Sequence, residues 1–132
     1  MVRIVDLADG TSSATPPTVG SIIPQVKVAV ANNTTATITG LVLDSSVLIQ
    51  GLITYHVYRD NDSISRVDQT GSYNAYWNGS TWLLSEVHID GADAGFQLSI
   101  NGSGQISYTT SNISGTNHVG FVNAQVEALV VI

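Results

Sequence analysis

Hydrophobic and polar residues alternate along most of the chain from Val26 onward, in short runs separated by turn residues. In the segment 53–58, Ile53, Tyr55 and Val57 share one face of an extended chain, and more polar residues take the alternate positions. This period of two is typical of strands with one buried face. No stretch of twelve residues keeps a helical period, and β-branched residues are abundant. The pattern therefore predicts an all-β chain.

Clusters of Asn, Asp, Gly and Ser separate the predicted strands, and each has the composition of a tight turn. They occur at 32–33, 60–63, 78–80, 90–95, 101–104 and 114–117. Eight or nine short strands at this spacing indicate an antiparallel β-sandwich of the jelly-roll type. There is no internal repeat.

The first part of the chain differs from the rest. Residues 11–21, T-S-S-A-T-P-P-T-V-G-S, are small, polar and proline-bearing, which is typical of an extended linker. We therefore predict an N-terminal arm or linker over 1–25 and a β-sandwich domain over 26–132. The start has no long apolar run of the signal-peptide kind, so Met1 is either a native start or the start of a fragment.

The chain ends on an apolar run with alternating character. One face of this predicted strand is uniformly apolar and comprises Val122, Ala124, Val126, Ala128 and Val130. The other face is mixed and includes Phe121, Leu129 and Val131. Because free termini normally fray into solvent, this strand is expected to lie in a core or against another subunit. We predict a homo-oligomer in which Phe121, Leu129 and Val131 contact a neighbouring copy.

Composition excludes several partners. Hydrophobic residues make up 43% of the chain and charged residues only 11%, against about 25% charged in ordinary domains, so the surface is largely uncharged and polar. The net charge is −6, with four basic residues, which argues against nucleic acid and anionic membranes as partners. Cysteine is absent, so disulfides and thiolate metal sites are excluded. No apolar run approaches the roughly 20 residues of a membrane helix, so no membrane insertion is predicted.

No pattern of catalytic residues stands out. Glycosidases need two carboxyls, roughly 5 Å apart in retaining enzymes, and most of the ten acidic residues fall in turn contexts. Asp44 and Glu86 lie on predicted strands, but nothing in the sequence brings them together. There is no G-x-S-x-G motif for a serine nucleophile. We predict neither an enzyme nor a bound cofactor.

Metal binding has weak candidates only. His56, His88 and His118 lie far apart in the sequence. They could form a metal site or a pH-sensitive contact between subunits. The favoured interpretation is that they are ordinary half-exposed histidines on strands. The acidic turns 60–63 and 90–95 are candidate calcium sites, because calcium prefers clustered carboxylate and carbonyl oxygens. Neither has the residue spacing of an EF-hand loop. Turn chemistry explains both, so no metal site is predicted.

The aromatic segment 72–82, S-Y-N-A-Y-W-N-G-S-T-W, is the best ligand candidate. Asn78-Gly79 favours a two-residue hairpin turn, whereas a four-residue loop would set the two indoles directly opposite. Either way one face gathers three aromatic residues that suit the C–H faces of a sugar ring. The predicted glycan-binding residues are Tyr73, Trp77, Trp82, Tyr76, Asn74 and Asn78. The alternative is that the indoles form the core, which the W-L-L context favours for Trp82.

Several short segments in order resemble a known family. They are L-V-L-D-S-S-V (41–47), Y-H-V-Y-R (55–59), the Gly71 turn, N-G-S-T-W (78–82), G-A-D-A-G-F (91–96), G-Q-I-S-Y-T-T-S-N-I-S-G-T (104–116) and Gly120. Together they resemble the C-terminal receptor-binding tip domains of bacteriophage tail fibres and of phage-derived trimeric fibre adhesins of bacteria, including predatory ones. The resemblance implies a homotrimeric all-β tip, extracellular or surface-exposed, that meets a target cell. It assigns no catalytic residue, and this chain is poorer in Lys and Arg.

The sequence thus leaves three hypotheses. The first is a trimeric fibre-tip adhesin domain that recognises a target-cell surface ligand, in particular an envelope glycan. The second is a monomeric carbohydrate-binding module of a secreted enzyme. The third is a purely structural segment that caps and registers a trimeric fibre.

Overall fold

The computed structural model of the protein describes residues 18–20 and 22–132. Over these residues the chain forms strands and turns and no helix, which confirms the all-β prediction. Accordingly, the described part contains no helix long and apolar enough to cross a membrane. Its strands are β1 (Ile22–Ala29), β2 (Thr35–Val42), β3 (Leu48–Asn61), β4 (Ile64–Trp77), β5 (Trp82–Gly91), β6 (Phe96–Ile100), β7 (Gln105–Thr110) and β8 (Val119–Val131).

The strands form two antiparallel sheets that pack face to face. The five-stranded sheet has the order β1-β8-β3-β4-β5, and the three-stranded sheet has the order β2-β7-β6. Alternation along β3 buries one face, with Ile53 and Val57 fully enclosed. From the three-stranded sheet, the Phe96 ring meets Tyr55 at a centroid distance of 5.3 Å and Tyr108 at 5.9 Å. Each such buried side chain contributes about 1.5–3 kcal/mol of burial free energy.

The apolar final strand lies inside the five-stranded sheet. β8 pairs with β1 on one side and with β3 on the other. Its predicted apolar face is enclosed in the core at Val122, Ala124, Val126 and Ala128. A central position in one subunit therefore accounts for these apolar residues without a second chain.

The end of β8 departs from simple alternation. Register shifts between β3 and β8 occur between Leu48 and Gln50 and between Gln50 and Gly51. As a result Val130, predicted on the buried face, is 37% exposed, whereas Val131 packs against the core. The irregular pairing moves both side chains away from the sides that a strict period of two assigns them.

The three residues predicted to contact another subunit therefore lie in different environments. Phe121 lies on the outer face of the five-stranded sheet, which is the side turned away from the three-stranded sheet. Its ring centroid is 5.8 Å from that of Tyr58, and the Lys27 ammonium lies 4.9 Å above it. Leu129 is half-buried, and Val131 belongs to the periphery of the core. Contact of Phe121 and Leu129 with another subunit stays a prediction.

The predicted arm overlaps the folded domain. β1 begins at Ile22, so residues 22–25 join the five-stranded sheet instead of preceding it. The Gly20 N–H also donates to the Ala128 carbonyl at 2.7 Å. The rest of the predicted arm, residues 1–17 and 21, lies outside the described residues.

A four-residue loop joins β4 to β5. Trp77 pairs directly with Trp82, so the expected two-residue Asn78-Gly79 turn does not form and the longer alternative is adopted. The Asn78 side-chain oxygen accepts the N–H groups of Ser80 at 3.0 Å and Thr81 at 2.9 Å. This local capture of backbone donors stabilises the longer loop.

Candidate functional site

The structure splits the predicted glycan-binding residues between two faces. On the inner face, Tyr73 and Trp82 are 5% and 3% exposed and belong to the core. Trp77 is half-buried, and its ring centroid lies 5.9 Å from that of Trp82. The three-stranded sheet covers this side of β4 and β5, so Tyr73 and Trp82 do not form the predicted surface for sugar stacking.

The other predicted residues are not gathered around a site. Tyr76 is 40% exposed on the outer face, where Asn74 accepts the Gln50 side-chain amide N–H at 2.9 Å. The Asn78 side-chain oxygen accepts a hydrogen bond from the Ser80 N–H within its own loop. No common surface therefore unites the six residues chosen from sequence.

A cleft of about 700 Å³ opens instead between the edge strands β5 and β6. These strands belong to different sheets, and the turn at 92–95 connects them. Residues from β4, β5, the turn, β6, β7 and the segment just after β7 line it, among them Gln69, Glu86, Ile89, Asp93, Gln97, Thr109 and Ser111. Sequence reasoning missed this site, because only the meeting of two sheet edges creates it.

Gln69 ties the inner end of the cleft together. Its side chain is buried, and the amide nitrogen donates to the Tyr55 hydroxyl at 2.8 Å and to the Phe96 carbonyl at 3.2 Å. The amide oxygen accepts the Ala94 N–H at 2.9 Å. Both ends of the amide are thus engaged, as buried polar groups require, and β4 is fixed to β6 and to the turn.

Arg59 braces the same region from behind. It is 0% exposed, and its guanidinium donates to the Ala94 carbonyl at 2.6 Å and to the Ser111 carbonyl at 2.7 Å. It also donates to the side-chain oxygen of Asn32 at 2.7 Å and to a ring nitrogen of His118 at 3.1 Å. These acceptors are all neutral, so the charge is solvated by dipoles, which is how a buried cation is tolerated. An arginine at a core position of β3, two residues after Val57, was the sequence signal for this brace.

His118 is held in its neutral form by this contact. Arg59 Nε is always a donor, so His118 Nε2 must be an unprotonated acceptor and the ring proton lies on Nδ1. Burial first, and then the positive charge of Arg59, lower the pKa of His118, while Asp60 opposes them. His118 lies just before β8 rather than on a strand as expected.

The other histidines lie away from the cleft. On the outer face, His56 Nε2 is 2.7 Å from an oxygen of Asp68. Arg66 donates hydrogen bonds from two of its nitrogens to the same carboxylate. Its guanidinium carbon lies 3.9 Å from the centroid of the Tyr58 ring. The Arg66 hydrogen bonds, followed by the one from His56, lower the pKa of Asp68 to about 2. His88 is exposed on the same sheet.

The carboxylate pair considered from sequence does not form at the cleft. Asp44 lies in the turn after β2 instead of on a strand, and its carboxylate accepts the N–H and hydroxyl of Ser46 at 2.8 and 2.7 Å. These bonds lower the pKa of Asp44. Glu86 alone of the two lines the cleft. Among the described residues, no group of three or more His, Asp or Glu side chains is arranged to hold a metal ion.

Sequence comparisons with known proteins find no match for this chain, and a comparison of structures finds a weak similarity. No protein-family model matches the chain, and no curated protein matches it. Among solved structures, the chain is similar to the crystal structure of the tailspike protein of Acinetobacter phage vB_ApiP_P1, at 16% identity and a TM-score of 0.46. The alignment covers all of this chain and 26% of the tailspike chain.

Proposed function

We propose that this chain is a carbohydrate-recognition domain and that its ligand binds in the cleft between β5 and β6. The observation that carries the proposal is the cleft itself, with a volume of about 700 Å³. Small-molecule sites typically enclose about 300–1,000 Å³, and this volume accommodates a short run of sugar units.

The chemistry of the lining supports a sugar ligand. Gln97, Thr109 and Ser111 supply an exposed amide and exposed hydroxyls, and Glu86 supplies a strong acceptor. Sugar hydroxyls both donate and accept, so a mixed set of this kind matches them. Ile89 adds an apolar surface for the C–H side of a ring.

The rigidity of the inner wall also supports recognition. Gln69 and Arg59 bind the backbone of the turn and of the segment after β7 through buried hydrogen bonds. A wall fixed before binding loses little conformational entropy when the ligand arrives, which favours affinity.

We further propose that the domain acts as the tip of a homotrimeric fibre or adhesin at a virion or cell surface, as the resemblance of residues 41–132 implies. Three weak sites on one particle bind a polymeric glycan with much higher avidity than one. A monomeric carbohydrate-binding module and a purely structural fibre cap are the competing outcomes.

The decisive test combines a glycan array with a matched pair of variants. Gln97 is exposed at the cleft, and Gln25 is an exposed glutamine on β1 outside it. We expect Gln97→Ala to weaken glycan binding about three- to tenfold, the value of one lost hydrogen bond, and Gln25→Ala to leave it unchanged. Equal effects, or no binding to any glycan, would exclude the cleft as the site.

A further inference from the structure

The cleft is negatively charged. The charged side chains that line it are both carboxylates, Glu86 and Asp93. Asp93 is partly engaged, because one of its oxygens accepts the Gly95 N–H at 2.8 Å. Glu86 has both oxygens available at an exposed position on β5.

None of the described basic side chains is placed to neutralise an acidic ligand in the cleft. Lys27 and Arg66 stack over Phe121 and Tyr58 on the outer face of the five-stranded sheet. Arg59 lies behind the cleft wall but is fully buried, and its donors point to protein acceptors. A bound acidic group would therefore meet carboxylates and no exposed cation.

Glu86 is oriented toward the interior side of the sheet. It pairs with Tyr73 of β4, whose side chain lies in the core. Burial is the main cause that raises the pKa of the Tyr55 and Tyr73 hydroxyls, and the nearby Glu86 charge adds to the rise. The carboxylate thus lies on the cleft side of the sheet and not on its outer face.

We propose that this cleft selects glycans that carry free amino groups, such as polymers of de-N-acetylated hexosamine, over neutral glycans, and excludes acidic ones. This inference rests on the proposed function. An ammonium group donates charge-assisted hydrogen bonds to Glu86, which are roughly twice as strong as neutral ones. A sugar carboxylate or phosphate at the same position would be repelled by Glu86 and Asp93.

The test uses three tetrasaccharides of matched length: a glucosamine tetramer, its N-acetylated counterpart and a galacturonic acid tetramer. Affinity is measured by calorimetry at a pH of about 6, where an amine is protonated, in low and in physiological salt. We expect the glucosamine tetramer to bind about tenfold more tightly than the N-acetylated one, since a charge-assisted hydrogen bond replaces a neutral one. This advantage should shrink as salt rises, and the acidic tetramer should bind most weakly.

Two isosteric variants separate a local contact from net charge. Glu86→Gln should weaken glucosamine binding about five- to tenfold, as expected for losing one charged hydrogen bond, and leave the N-acetylated ligand nearly unchanged. Glu127→Gln makes the same charge change on β8, outside the cleft lining, and should alter neither affinity.

The outcomes distinguish the two proposals. Tighter binding of the neutral or acidic tetramer, or equal losses in Glu86→Gln and Glu127→Gln, would overturn the amino-sugar preference while glycan recognition stands. Absence of binding by all three tetramers, with a glycan array giving only neutral or acidic ligands, overturns the preference too. An array without any ligand overturns both proposals.

Discussion

Arg59 carries a positive charge in the interior and meets only neutral acceptors among the described residues. Four of its contacts reach Ala94, Ser111, Asn32 and His118. These partners lie in three separate segments, so one side chain joins parts of the chain that are distant in sequence. Removing it would take this donor from the carbonyl oxygens of Ala94 and Ser111, which is costly for buried acceptors, whereas the Asn32 amide oxygen would keep the Ile113 N–H.

We expect Arg59→Met to lower the free energy of unfolding by about 2–5 kcal/mol, because each buried acceptor that loses its donor costs about 1–3 kcal/mol. The matched control is Arg66→Met, because Arg66 is half-exposed and pairs with a surface carboxylate, and surface pairs contribute little. Urea unfolding of both variants measures the difference. Similar losses in the two variants would contradict the bracing role of Arg59.

His118 should make stability depend on pH. Its pKa in the folded protein lies below the ordinary 6.5 because of burial and Arg59, so the unfolded chain binds the proton more readily. Stability from this residue is therefore present above pH 6.5 and decreases as the pH falls toward the lower, folded pKa.

His118→Gln keeps an oxygen acceptor for Arg59 without a titrating ring. We expect unfolding free energies measured in steps from pH about 7.5 to about 5 to fall less in this variant than in the wild type. His88→Gln is the matched control, because it removes an exposed histidine that makes no hydrogen bond to Arg59. A wild-type slope that persists in His118→Gln would assign the pH dependence to other groups.

At the scale of elements, the β4–β5 hairpin shows how one aromatic pair serves two environments. Trp82 is enclosed by the core, whereas its cross-strand partner Trp77 is half-buried at the edge. Their periodicity predicts the shared face correctly. It does not show which of them the three-stranded sheet covers.

We expect Trp82→Ala to reduce the free energy of unfolding by about 3–5 kcal/mol, as for other buried aromatic residues. Trp77→Ala should cost clearly less, since part of its ring already faces solvent. Thermal or urea unfolding of the two variants makes the comparison within one hairpin. A larger loss for Trp77 would mean that the hairpin packs differently from this structure.

At the scale of the whole molecule, the position of β8 changes the case for assembly. The apolar final strand lies between β1 and β3, so its hydrophobic residues need no second subunit. The trimer proposal therefore depends on the family resemblance and on half-buried outer-face residues such as Phe121.

We expect size-exclusion chromatography with light scattering, at micromolar concentration, to give three times the 13.9 kDa chain mass. Phe121→Lys should then shift the particle toward monomers, since it places a charge within the proposed contact, while Val42→Lys, at an exposed position on β2 in the three-stranded sheet, should not. A monomeric wild type would favour the carbohydrate-binding module over the fibre tip. A trimer without any glycan ligand would favour the structural cap.

The sequence by itself determined the all-β class, the approximate places of strands and turns, and the buried face of β3, because period-two alternation and turn chemistry are local properties. It also contained the Arg59 signal, a cation at a core position. Only the tertiary structure decided the order of strands, the central place of β8 and the burial of Tyr73 and Trp82. The cleft likewise depends on residues from separate strands meeting at two sheet edges, and no local pattern records which edges meet.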